Sequence, residues 1–132
     1  MKGTRALALL LCVTMIVVAV ALPNTALAWL RSEYRWLGQP LNWIEQQWPA
    51  LDLVHVLLFA LLGFVARWAL PRTRMATLML WLALFAALSE LIQLWAPGRT
   101  ARPSDFAQDV LGAVLGVWLA AGVQALWARQ RA

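Results

Sequence analysis

Four apolar segments restrict this chain to a small set of folds. They cover residues 6–22, 51–70, 76–95 and 106–127, and each is roughly the length that a helix needs to cross a bilayer. Apolar side chains make up 63% of the sequence and charged ones only 13%, a balance that soluble domains do not have. The sequence therefore predicts an all-α fold, an integral membrane bundle of four transmembrane helices.

The positions of the basic residues indicate whether the protein binds nucleic acid and how it is oriented in the membrane. The net charge is +5, but Lys and Arg lie in short clusters beside the apolar segments, so we predict no binding to nucleic acid. If the N-terminus is inside, most of the 11 basic residues flank inner ends of the spans: Lys2, Arg5, Arg67, Arg72, Arg74, Arg129 and Arg131. This asymmetry predicts that both termini are cytoplasmic.

The first apolar segment has two interpretations. It follows Lys2 and Arg5, and Ala26 and Ala28 supply a small-x-small cleavage site, which is typical of a signal peptide. Its apolar run of about 17 residues is longer than an ordinary signal core and long enough to span a bilayer. We favour an uncleaved anchor.

Residues 29–50 are predicted to form a short amphipathic segment at the membrane interface. Tryptophans recur every seventh residue from Trp29 to Trp43, close to two helical turns, and indole rings prefer headgroup depth. Gly38 and Pro40 are expected to break the segment into two short pieces. An aromatic belt explains these tryptophans more simply than ligand binding does.

Polar side chains occur at one end of each of the last three apolar segments. They are Asp52, His55, Glu90, Gln93, Asp105 and Asp109. In the predicted topology all of these ends face outward, so the six side chains lie in one outer layer. A carboxylate facing lipid costs about 2.5–3.5 kcal/mol, so such groups usually face a protein interior or a wet cavity. We expect this layer to be the functional site.

Helical phase supports an inward face on each segment. On the fourth, Asp105, Asp109, Gly112 and Gly116 fall within about 60° of one another, and the two glycines form a GxxxG pattern that permits close helix packing. This face is expected to pack within the bundle, and it could also join two copies in a homo-oligomer. The other predicted inward faces are Asp52, His55, Phe59, Gly63 and Ala66 on the second segment, and Met79, Ala83, Ala86, Glu90 and Gln93 on the third.

The layer carries more acid than base. Its four carboxylates face only Arg99 and Arg102 of the intervening turn, with His55 able to take either charge state. The excess has to be compensated by a proton, by a cation or by a ligand rich in donors. Glu90 lies deepest in its helix, and we expect it to act with His55 in acid and base catalysis. The predicted ligand-binding residues are Asp52, Gln93, Arg99, Arg102, Asp105 and Asp109.

Neither a metal site, a cofactor nor a nucleophile is predicted. The chain has one His and one Cys, so the usual zinc-binding spacings are absent. Ser89 and Ser104 lack the Gly-x-Ser-x-Gly setting of a serine nucleophile.

A polar clasp is the structural alternative to a working site. Arg99 or Arg102 would then neutralise Asp105 and Asp109, with Asp109 partly capping the last helix, and His55 would bond Glu90 only to fix the bundle.

At these residues the sequence resembles the VanZ-like family of small membrane proteins, which is associated with teicoplanin resistance. The family's patterns are matched by Asp52, His55, Phe59, Leu62 and Gly63, by Glu90 and Gln93, by Pro97 and Arg99, and by Asp105, Asp109, Gly112 and Gly116. The resemblance covers residues 51 to about 120. Where the family usually has Asn, this chain has Asp109, which adds a charge.

The resemblance implies a single VanZ-like membrane domain over residues 1–132, in the inner membrane of the bacterial cell envelope, with a role in glycopeptide tolerance. Together with the polar layer, it favours a protein that binds a membrane lipid or lipid-linked glycan, and it leaves open whether that molecule is also modified. One alternative is a non-catalytic interaction or assembly protein. A proton-coupled carrier is a weaker alternative, because the chain has no repeat and no broken helix at the bilayer centre.

Overall fold

The computed structural model describes residues 2–99 and 102–130, and these residues form an all-helical bundle. The six helices are α1 (Lys2–Ala21), α2 (Asn24–Glu33), α3 (Arg35–Gln47), α4 (Leu53–Ala69), α5 (Met75–Gln93) and α6 (Pro103–Arg129). The predicted all-α class is confirmed, and the last helix begins three residues earlier than the sequence suggested.

Three helices are long and apolar enough to cross a membrane: α1, α5 and α6. Helix α4 is also apolar, but its 17 residues extend only about 26 Å, slightly less than the roughly 30 Å hydrocarbon core. Large apolar side chains such as Leu10, Leu80 and Trp118 point away from the bundle, as they do where a surface faces lipid. The predicted count of four spans therefore depends on α4 and stays a prediction.

Helices α4 and α6 form a tightly packed parallel pair. A Cβ atom on Gly112 would collide with the backbone carbonyl of Val56, and one on Gly116 would collide with that of Ala60. Gly63 contacts the backbone of α6 in the same way. Contacts from His55 to Asp109, from Val56 to Gly112 and from Arg67 to Gln124 follow one another along both helices, so α4 and α6 run in the same direction. Association of two chains through Gly112 and Gly116 would require α4 to move away from α6, and it stays a prediction.

Helices α1 and α5 pack against this pair and complete the core. Ile16 of α1 is fully buried, and the Phe59 ring of α4 lies 5.9 Å from the Phe85 ring of α5, measured between centroids. The buried face of α5 is rotated from the predicted one, since Leu78 and Leu82 are buried while Met79 and Ala83 of the prediction are only half-buried. The prediction assumed that small side chains of α5 would face inward. Instead, the larger side chains of Leu78 and Leu82 fill the space beside the α4–α6 pair.

Helices α2 and α3 form a hairpin whose break was predicted at the wrong place. The chain breaks at Tyr34, and both Gly38 and Pro40 lie inside α3. Gly38 is buried directly against the backbone of Arg31, so its missing side chain permits close packing instead of ending a helix. The Arg31 guanidinium also donates two hydrogen bonds to the Glu45 carboxylate, at 2.6 and 2.9 Å.

The junction between α1 and α2 holds the turn between α5 and α6. The backbone N–H of Asn24 donates to the carbonyl of Pro97 at 3.4 Å, and its side-chain amide donates to the carbonyl of Gly98. Gly98 has a φ of +75°, a conformation that suits glycine. These contacts position the turn, which carries Arg99 and leads to Arg102, above the ends of the helices.

Candidate functional site

A buried hydrogen-bond network joins α4, α5 and α6. Nδ1 of His55 lies 2.8 Å from Oδ1 of Asp109, and Oγ of Ser89 lies 3.0 Å from Oδ2 of the same carboxylate. Nε2 of Gln93 lies 3.3 Å from Nε2 of His55. All four side chains are buried, and Asp109 is fully so. If His55 donates from Nδ1 and accepts at Nε2, one tautomer satisfies both of its contacts.

Glu90 lies beside this network but is held differently. Its Oε2 atom accepts a hydrogen bond of 2.9 Å from the backbone N–H of Arg102, while its Oε1 atom is buried and has no partner among the described residues. The sequence paired Glu90 with His55. Over the described residues, the two share no direct hydrogen bond, and His55 instead contacts Asp109 and Gln93.

Three side chains nevertheless bring ligand-type atoms close together. One nitrogen of His55, one oxygen of Glu90 and one oxygen of Asp109 all lie within 4.8 Å of one another, and the three residues are buried. We refer to His55, Glu90 and Asp109 as the buried triad. The predicted acid–base pair is thus part of a three-membered cluster that includes a second carboxylate.

Ser89 is a site residue that the sequence did not reveal. Its single hydroxyl faces two acceptors, the carbonyl of Ala86 at 2.7 Å and the carboxylate of Asp109 at 3.0 Å. One proton cannot fully serve both acceptors. The sequence considered Ser89 only as a nucleophile, and one serine in an apolar helix gave no signal of a hydrogen-bonding role.

An open polar cavity of about 340 Å³ lies above the buried triad. It is lined by Asn24, Asp52, His55, Gln93, Gly98, Arg99, Arg102 and Asp105. Five of these are predicted ligand-binding residues, and His55 is one of the two predicted acid–base residues. The structure thus brings the predicted ligand-binding residues together except for Asp109, which lies below. We call this space the polar cavity.

The charged residues of the polar cavity are balanced, which leaves the acid excess below them. Two arginines, Arg99 and Arg102, face two carboxylates, Asp52 and Asp105. Asp52 also caps α4, because its Oδ1 accepts from the backbone N–H groups of Val54 and His55. The uncompensated acid therefore lies in the buried triad, where two carboxylates meet one imidazole.

The arginine clasp considered from the sequence is not found. Among the described residues, neither Arg99 nor Arg102 forms an ion pair, and Asp109 bonds to His55 instead. Asp109 does not cap α6 either, because the helix begins at Pro103 and places Asp109 about a turn and a half inside it. Asp105 lies in the first turn, where a negative charge is favourable.

Gln108 is a second residue that the sequence did not single out. Its Oε1 accepts a 2.6 Å hydrogen bond from the backbone N–H of Asp52, and its Nε2 donates to the carbonyl of Ala50 at 3.0 Å. This amide fixes the start of α4 to α6 and so sets the level of His55 relative to Asp109. One glutamine on a helix surface carries no sequence signal of such a role.

A second, mostly apolar recess of about 490 Å³ opens beside the polar cavity. It is lined by Ala87, Glu90, Arg102, Pro103 and Phe106. Arg102 lines both spaces, whereas Glu90 lines only the apolar one. None of the tryptophans of α2 and α3 is among these lining residues.

Comparison with known proteins gives one match. The family model described as VanZ/LLP1 matches residues 7–126, which include parts of all six helices. No curated protein and no solved structure matches the chain. Because the match extends over most of the sequence, this chain belongs to the VanZ/LLP1 family.

Proposed function

We propose that this protein binds an envelope lipid or lipid-linked glycan at an outward-facing polar pocket, and that it thereby contributes to tolerance of teicoplanin-type glycopeptides. It would lie in the bacterial inner membrane as a multi-pass protein, with both termini in the cytoplasm. Membership of the family is consistent with a membrane protein of the cell envelope linked to glycopeptide resistance. The lipid and its binding mode are our inference from the site.

The position of Arg102 is the observation that carries the proposal. This residue lines the polar cavity on one side and the apolar recess on the other. A lipid phosphate in the cavity and the start of its hydrocarbon chain in the recess would meet at this side chain. A guanidinium fork matches the oxygen atoms of a phosphate or carboxylate, and Arg99 supplies a second one.

The buried triad gives the pocket a means of altering what it binds. His55 lines the polar cavity, and Glu90 lines the apolar recess. If a bound lipid is modified, these two residues would donate or accept the proton, with Asp109 orienting the imidazole. Binding itself does not require this chemistry.

A structural role is the second candidate, and the burial of Asp109 favours it. This carboxylate is fully buried and contacts α4 through His55 and α5 through Ser89. Such a network fixes the register of three helices in the manner of an interaction or assembly protein.

Binding can be tested with the purified full-length protein and a pair of lipid probes. The probes are a polyprenyl phosphate and the matching polyprenol, which lacks the phosphate. Native mass spectrometry would compare the wild type with Arg102→Gln and with Arg35→Gln, an exposed arginine outside the pocket. We expect the phosphate to bind at least about tenfold more tightly than the alcohol, since a charge-assisted hydrogen bond contributes about 1.5–3 kcal/mol.

The variants and a cellular assay separate the outcomes. Arg102→Gln should remove most of the preference for the phosphate, whereas Arg35→Gln should keep it. Equal binding of both probes by the wild type would overturn the proposed lipid site. Teicoplanin susceptibility of a sensitive host, measured at matched membrane abundance, then tests the resistance role, and a wild type that gives no protection would contradict it.

A further inference from the structure

We infer that the buried triad of His55, Glu90 and Asp109 binds one divalent transition-metal ion, with Zn²⁺ as the ion that fits its donors best. The three residues come from three different helices, and their ligand atoms lie within 4.8 Å of one another. The inference does not depend on the proposed lipid ligand, because a metal can be measured on the protein alone.

The carboxylate of Glu90 has one oxygen without a hydrogen-bond partner among the described residues. This atom, Oε1, is buried, and the whole residue is only 8% exposed. A buried acceptor without a partner costs about 1–3 kcal/mol, and more when it is charged. A cation bound at this carboxylate would remove that cost.

Around Asp109, hydrogen-bond acceptors outnumber the donors that reach them. Its two oxygens and the carbonyl of Ala86 share the hydroxyl of Ser89 and one N–H of His55. Both arginines of the site lie above, along the polar cavity, and form no ion pair with the described carboxylates. Two buried carboxylates beside one imidazole therefore form a cluster of donor atoms suited to a positive ion.

The donor set identifies the class of ion. One imidazole nitrogen with two carboxylate oxygens suits Zn²⁺, and Mn²⁺ less closely, whereas Mg²⁺ and Ca²⁺ prefer ligand sets made of oxygen alone. Three protein ligands also leave a fourth position for a water or another ligand. His55 borders the polar cavity, so this position can be reached from it.

Metal binding would require small side-chain movements. His55 Nδ1 and Asp109 Oδ1 lie 2.8 Å apart, whereas two ligands on one tetrahedral Zn²⁺ lie about 3.3 Å apart. This pair would open slightly while Glu90 approaches. Gln93 can then support the ring, because its amide can turn to accept an N–H from His55 Nε2, the kind of second contact that orients metal-bound histidines.

The measurement uses the full chain, freed of any affinity tag, stripped of metal in detergent and titrated with ZnCl₂. Calorimetry gives the stoichiometry and affinity, and Co²⁺ in place of Zn²⁺ gives visible absorption bands that report on the coordination geometry. We expect one ion per chain. Glu90→Gln and Asp109→Asn should each weaken binding at least about tenfold, and Glu33→Gln, which changes an exposed carboxylate on α2, should bind like the wild type.

Thermal unfolding keeps the test valid if a variant folds poorly. Zn²⁺ bound to the native wild type should raise its Tm, and the rise should be lost in Glu90→Gln, whose own fold is checked by its elution profile. The inference is overturned if the wild type shows no saturable Zn²⁺ binding. It is equally overturned if both triad variants bind as tightly as the wild type, since the ion would then lie elsewhere.

Discussion

His55 and Asp109 contact each other at 2.8 Å across two helices that are not consecutive in the chain. The contact lies at one end of the α4–α6 pair, just above the backbone contacts of Gly112 and Gly116. A polar contact and glycine packing thus act on the same helix interface. Substitutions at Asp109 and at Gly116 separate the two effects.

Asp109→Asn should keep the fold, whereas Asp109→Leu should not. An Asn amide can still accept a hydrogen bond from His55 and donate one to Ser89. Leu leaves the buried Nδ1 of His55 without a partner, at about 1–3 kcal/mol, while Ser89 keeps only its bond to the carbonyl of Ala86. Thermal unfolding in detergent would measure the difference, and equal losses of stability in the two variants would contradict the hydrogen-bonding role.

Gly116→Ala should separate α4 from α6. The new methyl group would overlap backbone atoms of Ala60 and Phe64, which cannot move aside as a side-chain tip can. Overpacking of this kind costs about 1–3 kcal/mol and outweighs the helix propensity of Ala, which favours the change by up to about 1 kcal/mol.

Gly122→Ala is the matched control for that prediction. A Cβ atom at this position of the same helix meets no atom within 4 Å. The control should therefore leave the Tm unchanged or raise it slightly. If both alanine variants unfold at the same temperature, the close packing of α4 on α6 is not a source of stability.

Glu90→Gln should leave stability unchanged or higher while removing function. Gln can still accept from the backbone N–H of Arg102, and it replaces a buried carboxylate, one oxygen of which has no partner among the described residues, with an uncharged amide, which costs less to bury. In a teicoplanin-sensitive host, we expect the wild type to protect and Glu90→Gln to fail at equal membrane abundance. Equal protection would show that Glu90 serves only packing or register and takes no part in chemistry.

The Arg31–Glu45 pair should contribute modestly to the α2–α3 hairpin. Its hydrogen bond to Glu45 raises the pKa of the Arg31 guanidinium above its ordinary value. A raised pKa stabilises the fold at every pH below the pKa of the unfolded state, so the arginine is charged and the contribution is fully present under working conditions.

A double-mutant cycle of Arg31→Ala and Glu45→Ala would measure that contribution. Both side chains are about a quarter exposed, at 27% and 23%, so we expect a coupling of less than about 1 kcal/mol that decreases at high salt. Hydrogen exchange of α2 and α3 is the suitable readout, because the loss should be confined to the hairpin. A loss of stability throughout the bundle would contradict this local role.

Cysteine labelling tests the proposed orientation. The native Cys12 is buried in the core, so it should react little in intact cells. Gln46→Cys on α3 should react with a membrane-impermeant maleimide, whereas Arg72→Cys, between α4 and α5, should react only after lysis; both positions are exposed. The reverse pattern would place the polar cavity on the cytoplasmic side.

The sequence predicted α4 and α6 better than it predicted α5. On α4, polar and small residues contrast with leucines, and the expected face agrees with the buried residues His55, Phe59, Gly63 and Ala66. On α5 almost every residue is apolar, so hydrophobicity alone could not distinguish the face of Leu78 and Leu82 from its neighbours. Helix phase is readable only where the two sides of a helix differ in chemistry.

The helical phase of the sequence also could not identify which side chains form hydrogen bonds with one another within the site. It placed His55, Glu90 and Asp109 on inward faces, but the choice between the two carboxylates depends on how far each helix is shifted along the others. Gln108 helps to set that shift for α4, through its contacts with Ala50 and Asp52. Such a long-range contact has no local pattern, and the same is true of the buried triad.

The parallel arrangement of α4 and α6 has a consequence for synthesis of the protein. The ribosome completes α4 roughly 60 residues before the end of α6, a delay of about 3 to 12 s at 5–20 residues per second. During this interval the nascent α4 has neither Asp109 nor the GxxxG glycines against it. Of the earlier helices that contact α4, which are α1 and α3, α1 packs against it more extensively and contributes Cys12, Ile16 and Val20 to the core. We therefore expect α1 to pack against α4 and to stabilise its position until α6 has been synthesised.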